Sequence, residues 1–440
     1  MAWEYVIVKI SVIGCGYLGA VHAAAMAEIG HEVVGIDVDA GKIADLSAGR
    51  PPFFEPGLPE ILASAGATGR LRFSTSIEAA AEATVHFIAV GTPQKSGENA
   101  ADLTYVFAAL EGLIPFLKSG DVVVGKSTVP VGTAAEMAAR LVESGTGARL
   151  AWNPEFLREG FAVRDTISPD RLVFGVGNPS DVEVLDEVYE QALAAGTPKV
   201  VTDYATAELV KVSANAFLAT KISFINAMAE IAEVTNANVS DLADAIGMDV
   251  RIGRKFLNAG VGFGGGCLPK DIRAFVARAE ELGRGESVGF LKEVDAINLR
   301  QRQHLVDLAV SLSGGSVFER KIAVLGVTFK PNSDDVRDSP ALDIAVQLRG
   351  LGANVVACDP HGIENARKRH PQLDYVTNSK DALHGADLVI LVTEWDEFKA
   401  LDPAEVLKLT AGNLIIDGRN ALDPSEWRAA GWTYKSMGRP

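Results

Sequence analysis

Short β-branched runs at residues 6–13, 32–36, 85–90 and 121–125 alternate with alanine-rich stretches whose apolar residues recur at helical spacing. Strands alternating with helices are joined by crossovers, which make the strands parallel. Residues 1–204 are therefore expected to form a doubly wound sheet. Over residues 205–300 the apolar period becomes i, i+3, i+4 and i+7, as in Phe217, Leu218, Ile222, Ile225, Met228 and Ile231. That section predicts helix, interrupted once by the glycine-rich residues 258–266, since each glycine in a helix interior costs about 1 kcal/mol relative to alanine. Strand grammar returns at residues 321–326, 354–358, 386–392 and 413–417, which predicts a second α/β domain over residues 318–440. The expected fold class is α/β, with two doubly wound domains joined by central helices. Ligands of open α/β sheets bind at the carboxyl ends of the strands, so two ligands facing each other between the domains are expected.

At 440 residues the chain is long enough for about three folding units, and 48% hydrophobic with 22% charged residues excludes a disordered or collagen-like chain. The formal charge of −16 provides no positive field for gathering nucleic acid or anionic lipid, so an anionic ligand must be held by a local cluster. Cys15, Cys267 and Cys358 are too few and too scattered for a disulfide framework or a four-ligand zinc site, and no metal is expected. The opening MAWEYVIVKISVIG reads as a chain entering a strand rather than a leader, and no apolar run approaches the ~20 residues that span a bilayer. A cytoplasmic protein is expected.

Gly14-Cys15-Gly16-Tyr17-Leu18-Gly19 is a GxGxxG that follows a strand and opens an alanine-rich helix, and Asp37 ends the next strand 18 residues later. Gly14 permits the tight turn, Gly16 lets a pyrophosphate approach the backbone, and Gly19 lets helix and strand pack closely. Asp37 would accept hydrogen bonds from ribose hydroxyls and repel a 2′-phosphate, so NAD is the expected cofactor of a Rossmann domain. Loops at residues 90–93, which include Thr92, and 126–130, which include Thr128, fall at carboxyl edges of the same sheet and are expected to line it.

The sharpest chemical signal is GFGGGCLPKD at residues 262–271. Cys267 follows a glycine run and precedes a proline suited to a first helical turn, with Lys270 nearby, a setting that favours thiolate. The glycines imply that a ligand or oxyanion approaches the backbone. Cys358, in the middle of a strand, and Cys15, at a variable fingerprint position, read as packed thiols. Lys211 and Asn215 stand four apart on a predicted helix, so a cation and an amide project from one face and can stabilise an oxyanion. In NPEFLREG, residues 153–160, Glu155 and Glu159 follow a strand, and a glutamate there can act as a general base.

Together the fingerprint, KSTVPVGT, NPEFLREG, KVSANAFLATKISFINAMAE, GFGGGCLPKD and GVTFKPNSDDVRDSP resemble the UDP-glucose/GDP-mannose dehydrogenase family over almost the whole chain. The resemblance implies an NAD-dependent, two-step oxidation of C6 of a nucleotide sugar, UDP-glucose or, as the alternative, GDP-mannose. It assigns Cys267 as the nucleophile that forms a thiohemiacetal and then a thioester, and Lys211 and Asn215 as oxyanion stabilisers. Asp271 would orient a water or lysine, Glu155 would be the base of thioester hydrolysis, and Thr128 would hold a water. It gives Gly14, Gly16, Tyr17, Leu18, Gly19, Asp37, Lys42, Thr92, Thr128, Glu159, Lys270 and Arg337 to the cofactor. Glu155, Phe156, Leu157, Glu159, Lys211, Asn215, Phe256, Leu257, Asn258, Gly260, Gly264 and Lys330 fall to the sugar nucleotide. Arg251 would be lent to the neighbouring subunit, implying a homodimer through the central helices.

The second sheet carries Gly326-Val327-Thr328-Phe329-Lys330 where a GxGxxG would stand, so it is expected to bind UDP rather than a dinucleotide. Gly266 stands where many relatives have serine, and GENAADL is slightly longer than the usual loop. A two-domain β-hydroxyacid dehydrogenase would perform one oxidation without cysteine, and a non-catalytic NAD sensor would not turn over. The cysteine, lysine and carboxylates speak against both.

Overall fold

The computed structural model describes residues 6–440; residues 1–5, the opening of the segment read as leading into the first strand, lie outside it. Two compact units are present, Met1–Ala214 and Asn215–Pro440.

The first unit holds an eight-stranded sheet of β1 (Lys9–Ile13), β2 (Glu32–Ile36), β3 (Leu71–Ser74), β4 (Val85–Ile88), β5 (Val122–Gly125), β6 (Arg149–Trp152), β7 (Leu172–Val176) and β8 (Lys199–Thr202). Their spatial order is β3-β2-β1-β4-β5-β6-β7-β8. The first six are parallel; β7 pairs antiparallel with β6, and β8 runs parallel to β7. The order reverses between β1 and β4, which opens the crevice at their carboxyl ends. Both faces are covered, as parallel strands require: Ile10, Val12, Phe87 and Val124 enter one core, while Ile13, Ile88 and Val123 enter the other.

The second unit repeats the pattern with β9 (Lys321–Leu325), β10 (Asn354–Cys358), β11 (Asp374–Val376), β12 (Leu388–Leu391), β13 (Leu414–Asp417) and β14 (Thr433–Ser436), all parallel in the order β11-β10-β9-β12-β13-β14. Ile322 and Val324 face one core, Ala323 and Leu325 the other.

The helical section is broken more often than the single interruption expected. The helix Tyr204–Thr235 stops at Asn236, whose φ of 57° ends it, and Asn238 caps the next helix, Val239–Gly247, by accepting from the Ser240 amide. Helices Leu268–Glu281 and Phe290–Leu312 follow, separated at Gly283 with φ 68°. Among the described residues no helix is long and apolar enough to cross a membrane.

Candidate active site

The fingerprint has the geometry that its glycines permit. Gly14 has φ +92°, and a Cβ there would stand 2.8 Å from Val90; a Cβ on Gly19 would stand 1.7 Å from the Gly14 carbonyl oxygen. A Cβ on Gly16 would meet nothing within 4 Å, so the helix Tyr17–Glu28 begins beneath open space at its positive end. Leu18 packs against the core below. Asp37 accepts from the Cys15 amide at 2.8 Å, the Asp39 amide at 3.0 Å and Lys42 Nζ at 2.8 Å. Burial pushes its carboxyl up, but the Lys42 ammonium and the two amides outweigh that and hold it below the usual range. An ionised acid at this position, with the open approach over Gly16, fits the adenosine half of NAD.

Thr92 is buried and donates to the Thr128 carbonyl at 2.8 Å, tying together the loops that follow β4 and β5. The loop after β6 folds back on itself: Glu155 Oε2 accepts from the Leu157 amide at 2.8 Å, and Oε1 stands 2.9 Å from Lys211 Nζ. The Phe156 ring carries Arg171 on its face at 3.8 Å and Lys211 Nζ at 5.7 Å. Glu159 is buried. Cys15 is buried as read, and burial pushes its thiol up to about 12.

In the second unit Cys267 is exposed and stands at the N-cap of Leu268–Glu281, with Pro269 in the first turn. Cys358 is buried, and burial pushes it up to about 12. Asp271 is buried, accepts from Asn215 Nδ2 at 2.6 Å and pairs with Lys270 Nζ at 2.6 Å. It thus orients the amide. The glycines before Cys267 have a different immediate cause from the one inferred above. A Cβ on Gly264 would lie 2.3 Å from the Asp338 carbonyl, on Gly265 2.8 Å from the Phe329 ring, and on Gly266 2.2 Å from Arg337 Cζ. The chain itself, through the segments around Phe329 and DVRDSP, presses against them. The Gly265 amide donates to the Arg337 carbonyl at 2.9 Å, and Arg337 pairs with Asp335 at 2.7 Å. Lys330 Nζ lies 5.4 Å from the Phe329 ring centroid.

In FLNAG, Phe256 holds φ +67°, a strained conformation for a bulky residue. Arg254 braces it by donating to the Leu257 carbonyl at 2.8 Å and to Asn258 Oδ1 at 2.7 Å, and the Gly260 amide donates to Asn226 at 2.9 Å. Arg251 is exposed and pairs with Asp249 at 2.6 Å. Asp359, after β10, occupies the position that Asp37 takes after β2. It is fully buried and accepts from the amides of Val327, Thr328, His361 and Gly362, the Thr328 hydroxyl and Trp395 Nε1. Its oxygens are consumed internally, so this sheet lacks the ribose acceptor of a dinucleotide site.

Three residues went unread from sequence. Glu55 is buried and accepts from the Gly160 amide at 2.6 Å, the Ala162 amide at 2.7 Å and the Tyr17 hydroxyl, linking the fingerprint to NPEFLREG. Arg419 donates to the carbonyls of Val392, Gly262 and Phe329 at 2.8, 2.8 and 3.0 Å. Lys126, inside a quoted motif, is buried. Only Glu55, a charge between Phe54 and Pro56, carried any local signal.

A Rossmann sheet with an acid-tipped second strand, followed by a second sheet lacking that acceptor, defines an NAD-dependent dehydrogenase with a separate nucleotide domain. The NAD-binding, central and UDP-binding domains of the UDP-glucose/GDP-mannose dehydrogenase family match residues 8–193, 205–300 and 323–424. UDP-glucose 6-dehydrogenase of Rhizobium meliloti (strain 1021) is 44% identical over 437 residues, 98% of this chain and 100% of the relative. A UDP-glucose dehydrogenase from the hyperthermophilic archaeon Pyrobaculum islandicum superposes with TM-score 0.91 at 38% identity, covering 100% of both chains. A GDP-mannose dehydrogenase from Pseudomonas aeruginosa gives TM-score 0.53 at 29% identity, covering 97% of this chain and 99% of that one. The chain belongs to the UDP-glucose/GDP-mannose dehydrogenase family.

Proposed function

We propose that this protein oxidises C6 of UDP-glucose twice to give UDP-glucuronate, with Cys267 as the covalent nucleophile. The observation that carries this reading is the placement of the thiols: Cys15 and Cys358 are buried, while Cys267 is exposed at the N-cap of the helix Leu268–Glu281. UDP-glucose is preferred to GDP-mannose because the relatives acting on it by name are both more identical and structurally closer.

When bound, NAD supplies the hydride acceptor for each oxidation; Gly14, Gly16, Tyr17, Leu18, Gly19, Asp37, Lys42, Thr92, Glu159, Lys270 and Arg337 would hold it. The C6 alcohol first becomes an aldehyde, its C6 hydride leaving to the acceptor and its hydroxyl proton to solvent. Cys267 sulfur adds to its carbonyl carbon to form a thiohemiacetal, and loss of the C6 hydride leaves a thioester. Glu155 then takes a proton from a water held by Thr128; the hydroxide attacks the thioester, the carbon–sulfur bond breaks and the thiolate is regenerated. Lys211 and Asn215 offset the negative charge that develops on oxygen, and Asp271 holds the Asn215 amide. Phe256, Leu257, Asn258, Gly260, Gly264 and Lys330 would grip the diphosphate and sugar, with Phe156 and Leu157 beside Glu155.

A homodimer with Arg251 reaching the neighbouring sugar site suits the exposed apolar stripe Phe217, Phe224 and Ile231, spaced two helical turns apart on Tyr204–Thr235. A chain with only three scattered cysteines suits the reducing cytoplasm. Incubation with limiting UDP-glucose tests the activity. Two NADH per sugar, with GDP-mannose inert, are expected; one NADH per sugar or a preference for GDP-mannose would overturn it.

A further inference from the structure

Lys126 follows β5, is buried, and has no acid partner. Its Nζ donates to Asn153 Oδ1 at 2.8 Å and to the Tyr189 hydroxyl oxygen at 3.1 Å, while Tyr189 itself donates to Asn153 Oδ1 at 2.6 Å. The rings of Phe87 and Tyr189 lie 5.7 and 5.6 Å from Nζ. No carboxylate among the described residues is within ion-pairing distance of this nitrogen. Both acceptors are neutral. A neutral amine satisfies them with its two N–H bonds and keeps one lone pair, whereas an ammonium would bury a third donor without a partner. Lys126, Asn153, Glu155, Phe156, Arg171 and Tyr189 line one small cavity of about 30 Å³, room for a water molecule, and Glu155, Phe156 and Arg171 are partly exposed.

We propose that Lys126 is a positioning residue that resets Glu155: it receives, through solvent in this cavity, the proton that Glu155 takes from the hydrolytic water, and releases it to bulk. The inference rests on the thioester reading given above. The proton balance closes. The water proton moves to the Glu155 carboxylate, from the carboxylic acid to the amine of Lys126, and from the resulting ammonium to solvent. No electron changes hands.

The surroundings favour this direction. Burial holds Lys126 down to about 7, with Glu155 raising it and Lys211 lowering it. His22, also buried, is held well below its ordinary value by burial and then by the charge of Lys126, and is a neutral ring. Tyr189 is kept protonated by burial, and Asp165 and Arg171 are the other charged groups along the cavity. Lys211 Nζ stands 2.9 Å from Glu155 Oε1. The amine of Lys126 can accept only in its neutral form, so turnover rises as pH rises through the amine's value.

The test compares wild type, Lys126→Ala and Lys126→Met in NADH formation from UDP-glucose over about pH 5 to 9, with and without ethylamine. The expected result is a wild-type kcat that climbs through a limb near pH 7, a limb absent from both variants, a loss of ~10-fold or more above it, and a KM for UDP-glucose within ~2-fold. Ethylamine should restore Lys126→Ala and leave Lys126→Met unchanged. A wild type that yields two NADH per sugar while the variants keep the limb would overturn the relay and leave the thioester reading intact. A wild type inert toward UDP-glucose would instead remove the reading beneath it. If neither variant folds, the wild-type limb decides: its pKa must fall on warming as an amine's does, and a temperature-insensitive limb would assign it to a carboxylic acid.

Discussion

Lys211 Nζ and Glu155 Oε1 stand 2.9 Å apart, with side-chain exposures of 8% and 13%. At that burial the pair is scarcely screened by solvent. In the proposed chemistry the same carboxylate must take a proton from water during the last step only. Replacing Glu155 by Gln keeps the shape and removes the base. Both oxidations should then run once, giving a burst of two NADH per active site, followed by steady turnover slowed by about 10²–10⁴. Stopped-flow absorbance resolves the two phases. A uniform slowing without a burst would place Glu155 in an earlier step.

Asp37 is held below the ordinary carboxylate range, so it is ionised throughout the working pH range. Its contribution to stability is fully present above the unfolded value and is lost as pH falls through the lower native value. Asp37→Asn should raise the ratio of kcat/KM for NADP to that for NAD by at least ~10-fold, by removing like-charge repulsion of the 2′-phosphate. The wild-type ratio should stay flat from about pH 5 upward. Initial rates with each cofactor measure both.

Glu55 has the opposite sign. Burial raises its carboxyl, and the Tyr17 hydroxyl and the amides of Gly160 and Ala162 bring it only part of the way back. The folded state therefore holds this proton more tightly, and that stabilisation, present at low pH, is lost as pH rises through the native value. Glu55→Ala orphans two backbone donors and should cost about 1–3 kcal/mol, read as a melting temperature lower by several degrees. Because Tyr17 belongs to the fingerprint, the KM for NAD should rise as well. An unchanged KM would confine Glu55 to helix capping.

The fold was legible where the signal is local. The first sheet's central strands are continuous β-branched runs, and the fingerprint places its three glycines, its helix and its acid within a few dozen residues. The edge strands were not read: Leu71–Ser74 is mixed in character and Lys199–Thr202 is largely exposed, so neither has the buried run that marks a central strand. Glu55 and Arg419 act through residues 105 and 157 positions away, contacts that no periodicity reports. Residues 262–266 were legible as a special backbone, but the reason for the glycines was not. The approach of Asp338, Phe329 and Arg337 exists only after the second sheet has formed.

Peptide mapping of acid-quenched Glu155→Gln after mixing with NAD and UDP-glucose tests the covalent account most directly. A UDP-glucuronyl adduct on the peptide carrying Cys267, labile to hydroxylamine and absent without NAD, is the predicted result. An enzyme that has released two NADH per site with every Cys267 peptide unmodified would contradict it.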